Sequence, residues 1–278
     1  MTETDTAVEG ASRTPALFIW HGGGPCFSMD MDDRFGPNSF KALGEYLRGI
    51  DAGLGFRPKA VLVISGHWEE AEPTVNAGAH PPMLFDYYGF PEHTYRLSYP
   101  APGSPELAAE VRELLAKAGF PSQSDDRRGF DHGVFVPFML VYPDADVPIV
   151  QLSLQHSLDP ALHIAMGRAL APLRDQGVLI VGSGMTYHNL RYMAAPQANA
   201  ASEAFNDWLD QAATDPDPAS RDHKLARWMT APDALHCHPR PEHLLPLMVV
   251  AGAAGPDTGR RVYNDHIAGK AISGFEFG

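Results

Sequence analysis

Four stretches of the chain are apolar at nearly every position: "ALFIWH" (16–21), "AVLVISGHW" (60–68), "VPIVQLSL" (147–154) and "VLIVGSG" (178–184), each bounded by Gly, Pro or Asp. Continuous runs of this length predict strands buried on both faces. Between them apolar residues fall three or four apart, in "SFKALGEYLRGI" (39–50), "SPELAAEVRELLAKAGF" (104–120), "DPALHIAMGRALAPLRDQG" (159–177) and "NAASEAFNDWLDQAAT" (199–214). That spacing gathers apolar side chains on one face of a helix. Ser104 and Asp159 are placed to cap two of these helices with Pro in the first turn, and Gly119 and Gly177 to end them. Strands alternating with helices predict one α/β domain over 16–278, its central, mostly parallel sheet flanked by helices on both faces. The polar, acidic stretch 1–15 reads as a disordered tail and lacks the basic start and apolar middle of a secretory signal.

Charge narrows the functional classes. The formal net charge is −13, with no basic stripe to track a phosphate backbone, so nucleic acid is not an expected partner. No apolar run approaches the 18 or so residues that span a bilayer, so no membrane partner is expected either. Two cysteines, Cys26 and Cys237, are too few for a disulfide framework and read as buried small residues of a protein in the reducing cytoplasm.

In open α/β sheets, ligands bind beyond the carboxyl ends of the strands. There the sequence puts three histidines: His21 ends the first strand, His67 the second, and His188 follows the "VLIVGSG" strand. Each lies beside small residues, Gly22 to Gly24 above all, which leave backbone near the site and room for a ligand. His132 lies in "FDHGVFVPF", and Pro241 is placed to open a helix carrying Glu242 and His243 in its first turn. A lone His at a strand end is more often a backbone hydrogen-bond partner than a ligand. Three at matching strand ends favour a mononuclear divalent metal held by two or three neutral imidazoles, with positions left open.

"HGGGP", "SGHW", "YYGFP", "DHGVFVPF", "GSGMTYHNL" and "HPRPEHLLPLMVVAGAA" occur in an order that resembles the class III extradiol ring-cleaving dioxygenase superfamily, most of all its DOPA 4,5-dioxygenase type. The resemblance runs from about residue 16 to the C-terminus. It implies a single α/β domain, a mononuclear non-haem Fe(II) site that can carry Zn(II) in purified protein, and a small aromatic diol opened by O2 beside its two hydroxyls. It differs from common relatives in reading "WHG" for "SHG" and "SGHW" for "SAHW". The protocatechuate branch uses Glu as third ligand where DOPA-type relatives have His, so the implied set is His21, His67 and His243, with Glu242 the alternative. His188 is then the general base, or a fourth ligand in a zinc form, and His132 a partner of O2 or substrate. Asp131 is expected to fix its loop or orient a His.

For substrate, "FDYYGFPEHTYRLSYP" offers an aromatic wall from Tyr87, Tyr88, Phe90, His93 and Tyr95, with Tyr88 a better candidate than Phe85 or Phe90. Arg96 is a weak candidate for a substrate carboxylate, His238 for the pocket lining, and Trp68 is expected in the core. A soft zinc site at His236, Cys237 and His238 lacks a CxxC partner. Two other classes stay open: a zinc hydrolase, although no HExxH helix or GxSxG elbow is present, and a non-enzymatic binding protein on the same fold. The sequence leaves the oligomeric state open, monomer or homodimer.

Overall fold

The computed structural model describes residues 13–278. The expected tail falls outside the described residues over 1–12, but its last residues belong to the fold. Thr14 is buried and its hydroxyl donates to the Val178 carbonyl at 2.6 Å, so the fold includes residues ahead of 16.

The four continuous apolar stretches form β1 (Ala16–Trp20), β2 (Ala60–Glu70), β5 (Ile149–Gln155) and β6 (Val178–Gly184). With β3 (Thr74–Asn76), β4 (Gln123–Asp125), β7 (Gly259–Ile267) and β8 (Lys270–Phe277) they make one eight-stranded sheet, ordered β4-β3-β5-β2-β6-β1-β8-β7. The centre, β5-β2-β6-β1, is parallel, and its strands are buried along nearly their whole length. β8 joins β1 antiparallel and turns into β7 through Ala268 and Gly269, both at positive φ, the backbone a two-residue hairpin requires.

Helices cover both faces. Lys41–Leu54 and His132–Val141 pack on one side around Leu43, Leu47, Phe135 and Phe138. Pro105–Lys117, Pro160–Leu170, Asn199–Ala213 and Leu245–Ala254 pack on the other. The expected caps form: Ser104 accepts from Leu107 N–H, and Asp159 from Ala161 and Leu162 N–H. Gly119 and Gly177 follow at positive φ. The helix Leu245–Ala254 is buried at every position and begins later than expected. Glu242 and His243 stand in the preceding turn, closed by Leu244 and Leu245 N–H to the Pro241 carbonyl. Among the described residues no helix is long and apolar enough to cross a membrane.

Candidate metal centre

Three local features carry histidines from remote segments to one place. His21 is the residue after β1, next to a glycine loop whose Gly24 holds φ +55°, and a Cβ there would stand 2.9 Å from the Phe90 ring. His67 lies inside β2 rather than at its end. Between Ile64 and Glu69 β2 advances five residues while β5 advances two, from Leu152 to Leu154, and this bulge takes His67 to the sheet's edge. His243 is set by contact with β6: Met185 N–H donates to its carbonyl at 2.8 Å, and a Cβ on Gly184 would stand only 2.1 Å from that oxygen.

The Nε2 atoms of His21 and His67 are 3.1 Å apart, as are those of His67 and His243, and the ligating atoms of all three lie within 4.8 Å of one another. Ligand atoms about 2.1 Å from an ion and at right angles to one another lie about 3 Å apart, so the spacing fits three imidazoles on one face of an ion. The outer nitrogens are engaged. Ser183 Oγ donates to the Gly133 carbonyl, so it accepts from His21 Nδ1–H at 3.0 Å, and the tautomer left has its lone pair on Nε2. Glu242 Oε1 is 3.0 Å from both His243 Nδ1 and His188 Nδ1. Asp86 accepts from His132 Nδ1 at 2.8 Å, with its other oxygen 3.7 Å from His67 Nδ1.

Burial, then the neighbouring imidazoles, pushes His21 and His243 well below the usual histidine range; His67 falls for the same reasons despite Asp86. All three are neutral near pH 7, the form that binds a metal. Burial alone would raise the Glu242 and Asp86 carboxyls, but hydrogen bonds and charge from His188 and His132 respectively outweigh it and hold both low. Both remain acceptors that fix ring orientation.

Beside these rings is a cavity of about 190 Å³, with His67, His132, His188 and His243 in its wall. His188 stacks on His243 with ring centroids 3.5 Å apart, and His132 lies 3.8 Å from His67. Among the described residues, the larger depressions elsewhere have no cluster of histidines in their walls.

The structure brings His21, His67, His132, His188 and His243 together and leaves the expected substrate residues apart. Tyr88 is 91% exposed and turned out to solvent; the aromatic wall comes from its neighbours Tyr87 and Phe90. His93 faces the Ser28 carbonyl, and Arg96 pairs with Glu92 on the surface. His238 is fully buried among Phe205 and Trp228, behind the site, with neither ring nitrogen in a hydrogen bond of normal geometry. Asp131 fixes its loop, accepting from Ser65, Arg128 and Gln151. Trp68 is buried. Cys26 and Cys237 are buried too, and burial pushes both thiols up to about 12.

Sequence reading missed Asp86, Ser183 and the part of the cavity formed by Met31, Arg34 and Phe35. Asp86 adjoins the aromatic stretch, but only its position opposite His132 gives it a role. "MDMDDRFG" reads as a polar loop, and nothing in its pattern marks it as cavity wall.

An α/β sheet with a cluster of neutral, oriented imidazoles beyond its parallel strands defines a metal-dependent enzyme class. Residues 15–276 match the family described as the catalytic LigB subunit of aromatic ring-opening dioxygenase, and the chain belongs to that family. It is 45% identical to 4,5-DOPA dioxygenase extradiol of Beta vulgaris over 73% of this chain and 75% of the relative. With the Escherichia coli (strain K12) protein of that description it shares 38% identity over 88% and 87%, and with dioxygenase tasH of Hapsidospora irregularis 38% over 95% and 85%. The crystal structure of an uncharacterized Escherichia coli K12 protein superposes with a TM-score of 0.77 at 32% identity, covering 96% of this chain and all of that one.

Proposed function

We propose that this protein is an Fe(II)-dependent extradiol dioxygenase that opens a catechol ring with O2, breaking the carbon–carbon bond beside the two hydroxyls and placing both oxygen atoms in the product. The observation that carries the reading is the convergence of three Nε2 atoms beside one cavity, with two further histidines in its wall. His21, His67 and His243 hold the metal. When bound, ferrous iron supplies a place where a catechol's oxygens and O2 meet and exchange electron density.

The remaining groups handle protons and position. His188 keeps Nδ1 on Glu242, so Nε2 is its free nitrogen and accepts a proton from a catechol hydroxyl. Glu242 steadies the cation that results, and His188 returns the proton later in the reaction. His132, held at Nδ1 by Asp86, offers Nε2 as a hydrogen-bond partner for O2 or substrate. Tyr87 and Phe90 confine the ring and exclude water. Two buried, protonated thiols suit the reducing cytoplasm, where we place the protein.

Anaerobic loading with Fe(II), followed by a panel of catechols and aminophenols, tests the reading. O2 uptake equal to substrate consumed, with a yellow ring-opened product, is expected. No uptake across the panel would overturn it, and hydrolysis by zinc-loaded protein without oxygen would replace it with the hydrolase reading.

A further inference from the structure

Arg34, an exposed residue of the one-turn helix Asp32–Phe35, is the one charged side chain other than histidine that borders the cavity among the described residues. Its guanidinium lies 5.2 Å from the centre of the Phe35 ring, itself part of the wall. Among the described residues no carboxylate lies within ion-pair distance of it. Of its acidic neighbours in sequence, Asp32 accepts from Asn38 N–H and Asp30 from Asp32 N–H, Asp33 is exposed, and none of the three lines the cavity.

The rest of the wall sharpens that charge. Among the described residues no Asp or Glu lines the cavity, and away from the histidines and glycines it is made of apolar and aromatic side chains. Asp86 and Glu242 face the outer nitrogens of the histidines rather than the space a ligand would fill. At about 190 Å³ the cavity is smaller than the usual range for drug-sized ligands and admits one ring with a short arm.

Building on the catechol reading above, we propose that Arg34 determines specificity for the substrate's arm, favouring a catechol whose short side chain ends in a carboxylate over one that ends in an ammonium. A carboxylate meets a planar guanidinium able to bind it through two N–H donors. An ammonium meets a like charge and no acid. An arm bearing both groups gains the first contact and suffers the second.

The test is anaerobic equilibrium titration of the full-length, metal-loaded protein with three catechols of matched arm: dihydroxyphenylpropionate, ethylcatechol and dopamine. The wild type is expected to bind the propionate about tenfold more tightly than ethylcatechol, and dopamine the most weakly. Arg34→Gln should bring the propionate-to-ethylcatechol ratio close to one, and Arg34→Glu should reverse the order of propionate and dopamine. Equal binding of the three by the wild type, or unchanged ratios in both variants, overturns the proposal while leaving the catechol reading intact. Failure of protein shown to hold its metal to bind any of the three overturns both.

Discussion

At His188 and His243 one carboxylate serves two rings. Glu242 Oε1 lies 3.0 Å from each Nδ1, and Arg240 approaches the other oxygen at 3.4 Å while pairing through both its terminal nitrogens with Glu69 on β2. Glu242 is thus a positioning residue, and replacing it should loosen both neighbours. Glu242→Gln is expected to lower metal affinity about 10- to 100-fold, measured by competition with a chelator. The histidines themselves should separate by role. His21→Ala and His67→Ala lose metal and turnover together, whereas His188→Ala retains metal and loses about 10²- to 10⁴-fold in turnover. A metal-free His188→Ala alongside a metal-bound His243→Ala would exchange the two assignments. The histidines were legible in the sequence because each follows a recognisable strand or stands in a distinctive motif. Glu242 and His243 were harder to separate: read as neighbours on a helix they compete for one ion, whereas in the turn that forms they cooperate.

The elements themselves show what a sequence pattern can and cannot carry. β1, β2, β5 and β6 and the four amphipathic helices were readable because a buried strand or a half-buried helix leaves a periodic trace. The helix Leu245–Ala254 leaves none, since every residue is buried. The β2 bulge that presents His67 follows from pairing with β5 and has no local signature. Tyr88 and Tyr87 are adjacent and chemically alike, and only the path of the loop decides which faces inward. Packing between elements gives a further test at β6. Gly184→Ala would drive a methyl group into the His243 carbonyl, which should cost about 1–3 kcal/mol of stability in chemical denaturation. It should also weaken metal binding, because that carbonyl belongs to one of the three proposed ligands.

Across the whole molecule, a single buried guanidinium ties distant parts of the chain. Arg174 donates to the carbonyls of Thr14, Ala253, Ala254 and Phe277, joining the start of β1, the end of the last helix and the end of β8. A histidine outside the site, His238, adds to the response to acid. Burial lowers His238 from 6.5 to about 4, against a smaller upward pull from the Thr186 backbone. The unfolded chain therefore takes up this proton first as pH falls, so His238 leaves stability intact above pH 6.5 and erodes it down to about pH 4, on the order of 3 kcal/mol in all. His238→Phe should flatten that limb of the stability profile and raise stability near pH 7, because a polar ring without a hydrogen bond of normal geometry leaves the core. The central claim, one ion on three imidazoles, is tested most directly by anomalous diffraction at the iron edge from crystals loaded anaerobically with Fe(II). The account predicts a single strong peak about 2.1 Å from Nε2 of His21, His67 and His243. A peak on another donor set, or none at this cluster in protein that binds iron stoichiometrically, would contradict it.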